Sequence, residues 1–266
     1  MPQRDEAEHA LNLLAISIGN SRTRLGTFLD GKLIESQAID NSNGAAFAGA
    51  IDEAFAPLRS HDDTAILLAS VNPAMEEGIR SHLGKQTNKP VWRVDKDLPI
   101  PVGRQLDPET LVGDDRLLNA AAAYDTLKQA CIIVDAGTAM TVDLVDGAGT
   151  FHGGAICPGA QMMLNALHGR AAQLPELELT PPRGAIGHST TEAMLSGIFH
   201  GVRGMVRELT EQFAEQIGTY PTVIATGGDA DLVFGHYELV DRVVPELTMM
   251  GMLVTLRTSV EHPTDG

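Results

Sequence analysis

Short apolar stretches over 11–17, 22–28 and 32–38 are separated by the turn-forming pairs Gly19-Asn20 and Asp30-Gly31. That punctuation predicts three strands in a meander. The apolar spacing then changes to a helical period over 44–58, becomes strand-like over 64–71, and gives a helix over 73–83 and a strand over 90–94. A Leu- and Ala-rich stretch over 109–130 predicts one long helix. From 131 the opening pattern restarts, with strands over 131–135, 139–145 and 150–156, helical stretches, a strand over 222–226 and helices after it.

The restart extends to individual residues. Ile16, Ser17, Ile18, Gly19, Asn20, Ser21, Arg22 and Thr23 align with Val134, Asp135, Ala136, Gly137, Thr138, Ala139, Met140 and Thr141. Each set leads through an apolar strand to an Asp-Gly pair, Asp30-Gly31 or Asp146-Gly147. An internally repeated α/β chain is expected. Its halves fall at 11–129 and 130–258, with a disordered tail over 1–10 and a second tail over 259–266. The two Gly-containing turns are expected to point into a cleft between the halves, the kind of place where ligands bind.

A formal net charge of -16 argues against nucleic acid or an anionic membrane surface as partner. Any phosphate group must then be held by backbone N–H groups, hydroxyls and metal ions. No apolar run reaches the roughly 20 residues of a membrane-spanning helix. Cys131 and Cys157 have neither metal-site nor disulfide-framework spacing, which suits a cytoplasmic protein.

Three segments carry candidate chemistry. Residues 135–143 place a carboxylate at a strand end, a close-approach glycine at Gly137 and a hydroxyl at Thr138, a hairpin able to cradle phosphate or to be a plain turn. The related segment 17–24 offers Asn20, Ser21 and Thr23 with two arginines; Arg22 and Arg24 share one strand face, and for Arg24 a solvated sheet surface is expected. At 113–116, Gly113, Asp114, Asp115 and Arg116 open a helix. Acids there favour the helix dipole by ~0.3–1 kcal/mol. A carboxylate beside a guanidinium could equally take a proton from a substrate hydroxyl and hold a substrate carboxylate.

Together with the runs 153–159, 186–190, Ser196-Gly197 and 226–230, these motifs make nearly the whole chain resemble the type III pantothenate kinases. That family belongs to the sugar kinase, heat-shock chaperone and actin superfamily. The resemblance implies two tandem ribonuclease H-like domains of the actin-like ATPase kind, each a mixed sheet flanked by helices. It implies ATP-dependent phosphorylation of pantothenate, the first step of coenzyme A synthesis. ATP would be held by Ser17, Ile18, Gly19, Asn20, Ser21, Arg22, Thr23, Arg24 and Thr138, with magnesium. Pantothenate would be held by Gly113, Asp114, Asp115, Arg116 and Thr190, with Asp115 as general base. Asp135 would bind a monovalent cation, K+ or NH4+, and the protein would be a homodimer.

Two positions depart from the family pattern. Ser17 stands where the family usually has Asp, and no Tyr occurs over 102–112, where one usually contacts pantothenate. The Ser17 departure keeps open a catalytically weak, binding or regulatory relative. Another small-molecule kinase of the superfamily is a further alternative, because a fold does not assign a substrate.

Overall fold

The computed structural model describes Leu11–His262. Strands β1 (Leu13–Ile18), β2 (Arg22–Leu29) and β3 (Lys32–Asp40) form the expected meander. They are followed by α1 (Gly44–Phe55), β4 (Ala65–Ser70), α2 (Pro73–Gln86), β5 (Val91–Arg93) and the short β6 (Gly103–Arg104). After α3 (Asp114–Leu127), a second meander appears as β7 (Cys131–Ala136), β8 (Ala139–Val145) and β9 (Thr150–Pro158). The chain continues through α4 (Ala160–Arg170), α5 (Thr190–Ile217), β10 (Thr222–Thr226), α6 (Ala230–Phe234), β11 (Arg242–Val243) and α7 (Leu247–Glu261). No described helix is long and apolar enough to cross a membrane.

Two compact units result. Unit 1 takes the chain as far as Pro101, Gly113–Leu118 and the chain from Thr248 onward; unit 2 takes Val102–Val112 and Asn119–Leu247. The tail expected at 1–10 lies outside the described residues, as do positions 263–266 of the second tail. Positions 259–261 of that second tail instead continue α7.

In unit 1 the strand order is β3-β2-β1-β4-β5, with β1 antiparallel to β2 and parallel to β4. Leu14, Ile16, Ile18, Ile66 and Leu68 form a core with Phe47, Ile51 and Phe55 of α1 and Ile79 and Leu83 of α2. Burying each such side chain contributes about 1.5–3 kcal/mol, so this face fixes the register of the two central strands. Helix α2 starts where Asn72 accepts a hydrogen bond from Met75 N (3.3 Å), with Pro73 in the first turn.

Unit 2 repeats the order as β9-β8-β7-β10-β11, and β6 adds a parallel edge strand to β9. The same spacing separates Leu13 from Cys131 and Lys32 from Thr150, so β1 and β3 correspond end to end with β7 and β9. One sheet face, with Ile132, Val134, Val142, Leu144 and Val223, packs on Leu195, Phe199, Val202 and Val206 of α5. Ser189 caps α5 by accepting from Glu192 N (3.2 Å), and Gly218 ends it in the left-handed region.

The long helix expected over 109–130 is shorter at both ends. Residues 107–110 form a turn closed by Thr110 N donating to Asp107 O (3.2 Å), Glu109 sits at positive φ, and Leu111 is almost fully exposed. Lys128, also at positive φ, marks the other end. Composition alone does not register these backbone reversals.

The second Asp-Gly turn is tied by its first residue. Asp146 Oδ1 accepts from Ala148 N and Thr150 N, each at 2.9 Å, and Oδ2 meets His152 Nε2 at 2.8 Å. Burial pulls the Asp146 pKa upward, but the hydrogen bonds from His152, Thr150 and Ala148 outweigh it and hold the carboxyl below the usual carboxylate value. A carboxyl with a depressed folded pKa contributes stability above its unfolded pKa and loses it as pH falls through the folded one. Asp146→Asn should therefore lower the melting temperature by about 2–4 °C at neutral pH. The difference from the parent should shrink as the pH drops below the ordinary carboxylate range. A difference that grows on acidification would contradict this account.

Candidate active site

In unit 1 the turn after β1 is built around Gly19, whose N–H donates to Arg22 O (3.0 Å). Asn41, just past β3, braces it from behind. Its Nδ2 donates to Gly19 O (2.9 Å) and Asn20 O (3.1 Å), its backbone N donates to Ser21 O (2.9 Å), and its Oδ1 accepts from Thr23 Oγ1 (2.9 Å). The sequence reading missed Asn41, because its partners are turn residues about twenty positions earlier and no motif surrounds it.

The segment 17–24 is not uniform. Ile18 and Thr23 are buried, so they support the turn from inside. Asn20, Ser21 and Arg22 are exposed, and Ser17 and Arg24 are half-buried cross-strand partners on the same face. A braced loop with amide, hydroxyl and guanidinium groups outward suits an anionic ligand.

Also in unit 1, α3 opens with Asp114 and Asp115. Arg116 N donates to Gly113 O (3.1 Å) and to Asp115 Oδ1 (2.9 Å), so the Asp115 carboxylate folds back over the helix start. A Cβ on residue 113 would stand 2.5 Å from that oxygen, which is why a glycine precedes the acids. Asp114 turns elsewhere, its Oδ2 accepting from Arg93 Nη2 at 3.1 Å. Arg93 also donates to Glu76 Oε2 and, at 2.8 Å, to Ser70 O. Burial raises the Asp114 pKa and outweighs the opposing pull of Arg93. Arg93 and Glu76 are further residues that the sequence reading did not single out.

In unit 2, Asp135 lies at the end of β7 and Asn119 Nδ2 donates to its Oδ2 (3.1 Å). Gly227, at φ +98°, passes so close that a Cβ there would stand 2.5 Å from Asp135 Oδ1 and 2.4 Å from Ala136 O. Only glycine allows so close an approach. Asp143 is buried two residues along β8 from Thr141, whose Oγ1 is buried without a hydrogen-bond partner. Thr138 is exposed in the β7–β8 turn, where Gly159 N donates to its carbonyl (3.0 Å). Thr190 is exposed as the first residue of α5.

Both thiols are poor nucleophiles at neutral pH: burial pushes Cys131 up to about 12 and also raises Cys157. Among the described residues no group of three or more His, Cys, Asp or Glu side chains forms a metal cage.

A family model for the type III pantothenate kinases matches residues 13–212. The type III pantothenate kinase of Frankia alni is 34% identical over 257 residues, covering 93% of this chain and 100% of that one. The enzyme of the same name from Rhodospirillum rubrum is 36% identical over 256 residues, covering 92% and 98%. Among solved structures, a protein named as a conserved Baf family transcriptional activator from Campylobacter jejuni superposes with a TM-score of 0.60 at 20% identity, covering 94% of this chain and 98% of that one. MreB 5 of Spiroplasma citri bound to AMPPNP superposes with a TM-score of 0.50 at 10% identity, covering 96% and 99%. At such low identity these structures speak to fold alone, and they agree with two ribonuclease H-like domains of the actin-like ATPase kind. With the family model spanning most of both units and its relatives matched nearly end to end, the chain belongs to the type III pantothenate kinases.

Proposed function

We propose that this protein transfers the γ-phosphoryl group of ATP to the primary hydroxyl of pantothenate, giving 4'-phosphopantothenate and ADP at the entry to coenzyme A synthesis in the cytoplasm. The observation that carries this reading is the start of α3, where Asp115 is held at a defined position by the Arg116 amide and the bare Gly113. With Oδ1 engaged by that amide, Oδ2 takes the hydroxyl proton. The substrate oxygen then bonds to the γ-phosphorus as the bridging bond to the β-phosphate breaks, and ADP leaves. In unit 1 Arg116 pairs with the pantothenate carboxylate. Asp114 is assigned away from the substrate, since its carboxylate faces Arg93 and would repel an anion.

In unit 1 the Asn41-braced turn at 17–24 serves ATP through its amides, Asn20, Ser21 and Arg22, with Ile18 and Thr23 as buried support. In unit 2 Thr138 serves ATP. The carboxylates present fit a magnesium ion that arrives with the nucleotide, since hard cations accept phosphate and water oxygens and need no full protein cage. Asp135, with Oδ1 close against Gly227, would hold a monovalent cation. Bound cations supply charge neutralisation on the phosphates. Large apolar side chains exposed on β9 and α4, Ile156 and Met162, support a homodimer. A single-chain mass by light scattering would remove that part of the reading.

Neither a binding-only relative nor a sugar kinase is favoured, because the helix start with its acid and Arg116 is intact. The purified protein should release ADP from ATP and magnesium only when pantothenate is added, faster in potassium than in sodium, and not with glucose. Asp115→Asn should lower turnover by at least about 100-fold while the melting temperature is retained. An active Asp115→Asn protein would remove the assigned base.

Ser17 is the cross-strand partner of Arg24, so a carboxylate at 17 would have a guanidinium on its own face. Ser17→Asp is therefore expected to fold normally and to lower the KM for MgATP several-fold. An unchanged KM would mean that the serine is already compensated, and a raised one that a carboxylate there does not serve MgATP.

A further inference from the structure

Arg93 closes β5 and belongs to no motif, yet its guanidinium joins three elements of unit 1. Nη2 donates to Ser70 O at the end of β4 (2.8 Å) and to Asp114 Oδ2 at the start of α3 (3.1 Å), and Nη1 donates to Glu76 Oε2 on α2. Glu76 is held from its other side by Arg80 Nε (3.1 Å), whose Nη1 donates to Val91 O (2.9 Å). The Arg93 and Asp114 side chains are only 12% and 15% exposed, so solvent screens this pair far less than a surface pair.

The arrangement costs more than a stability device would. Arg93 Nε is buried with no hydrogen-bond partner. Burial of Asp114 disfavours its charged form even with Arg93 beside it, and Asp95 and Asp115 push the same way. Buried ionic groups return little net stability against apolar residues of the same volume; what they can supply is a fixed geometry. Here the fixed object is the residue immediately before Asp115. Successive helical residues diverge by about 100°, so clamping Asp114 sets the direction in which Asp115 leaves the first turn.

We infer that Arg93, acting through Asp114 and anchored by Glu76, is a positioning residue for Asp115. The inference rests on the reading of Asp115 as the base, and the test includes a measurement that does not depend on activity. The Arg116 amide is shared between Gly113 O and Asp115 Oδ1, so its resonance reports where that carboxylate stands.

In the full-length protein, Arg93→Lys keeps the charge and loses the planar fork, Arg93→Met loses both, and Asp114→Asn loses the clamped carboxylate. Each should lower kcat by about 10- to 100-fold, with Arg93→Lys the mildest, while KM for ATP and pantothenate stays within about twofold. Each should also shift the Arg116 amide resonance, with changes confined to 113–117. Gly113→Ala, which pushes the Asp115 carboxylate directly, should give the same amide signature.

An unmoved Arg116 amide in Arg93→Lys and Asp114→Asn would overturn the inference. So would amide changes spread through unit 1, which describe a structural role, or an Asp114→Asn protein whose only defect is a raised KM for pantothenate. If the parent protein releases no ADP with pantothenate, the kinase reading fails instead, and the amide measurement still decides whether Arg93 sets the Asp115 carboxylate.

Discussion

Each sheet is organised by one strand that must be covered on both faces. β1 and β7 have the same burial sequence: four buried residues, one partly open, then one buried. The open position is Ser17 in one and Asp135 in the other. Flanked by an antiparallel strand on one side and a parallel strand on the other, neither strand can expose polar groups along its length without unpairing backbone or opening the core. Chemistry is confined to the carboxyl end, where the chain turns. The meander that follows then brings the residue after its third strand, Asn41 or Gly159, back to hydrogen-bond the carbonyls of that turn.

That constraint explains what was legible in the sequence. Continuous apolar runs between turn pairs identified the strands of both meanders, and the aligned Ser17 and Asp135 followed from the repeat. The start of α3 is expected too early because the Leu- and Ala-rich composition of 109–130 as a whole outweighs its weak first residues, while Glu109 at positive φ and the exposed Leu111 reveal a loop only in three dimensions. β6 was invisible because two residues carry no periodicity. Asn41, Glu76 and Arg93 act through partners distant in sequence, and single-chain pattern reading has no access to such pairs.

The two acids of the 113–116 motif show the limit most clearly. In sequence Asp114 and Asp115 are equivalent, two carboxylates on a first helical turn that both satisfy the dipole. In the structure one bonds an arginine from another strand and the other caps its own helix. Their environments separate the roles, as they commonly do for paired carboxylates.

The acidity of the chain and its kinase chemistry are reconciled by the same separation. A net charge of -16 would repel triphosphate if the carboxylates faced it. Several acids are instead engaged internally: Asp114 by Arg93, Glu76 by Arg93 and Arg80, and Asp135 by Asn119. The 17–24 turn, by contrast, carries Arg22 and Arg24 and no acid, and Asn41 satisfies its carbonyls from behind. An anion approaching that loop therefore meets amide, hydroxyl and guanidinium donors, while the backbone dipoles that would oppose it already accept hydrogen bonds elsewhere. At short range it is this local donor geometry, more than the summed charge of the chain, that decides whether phosphate is held, because fields from distant surface charges are screened within about 8–10 Å.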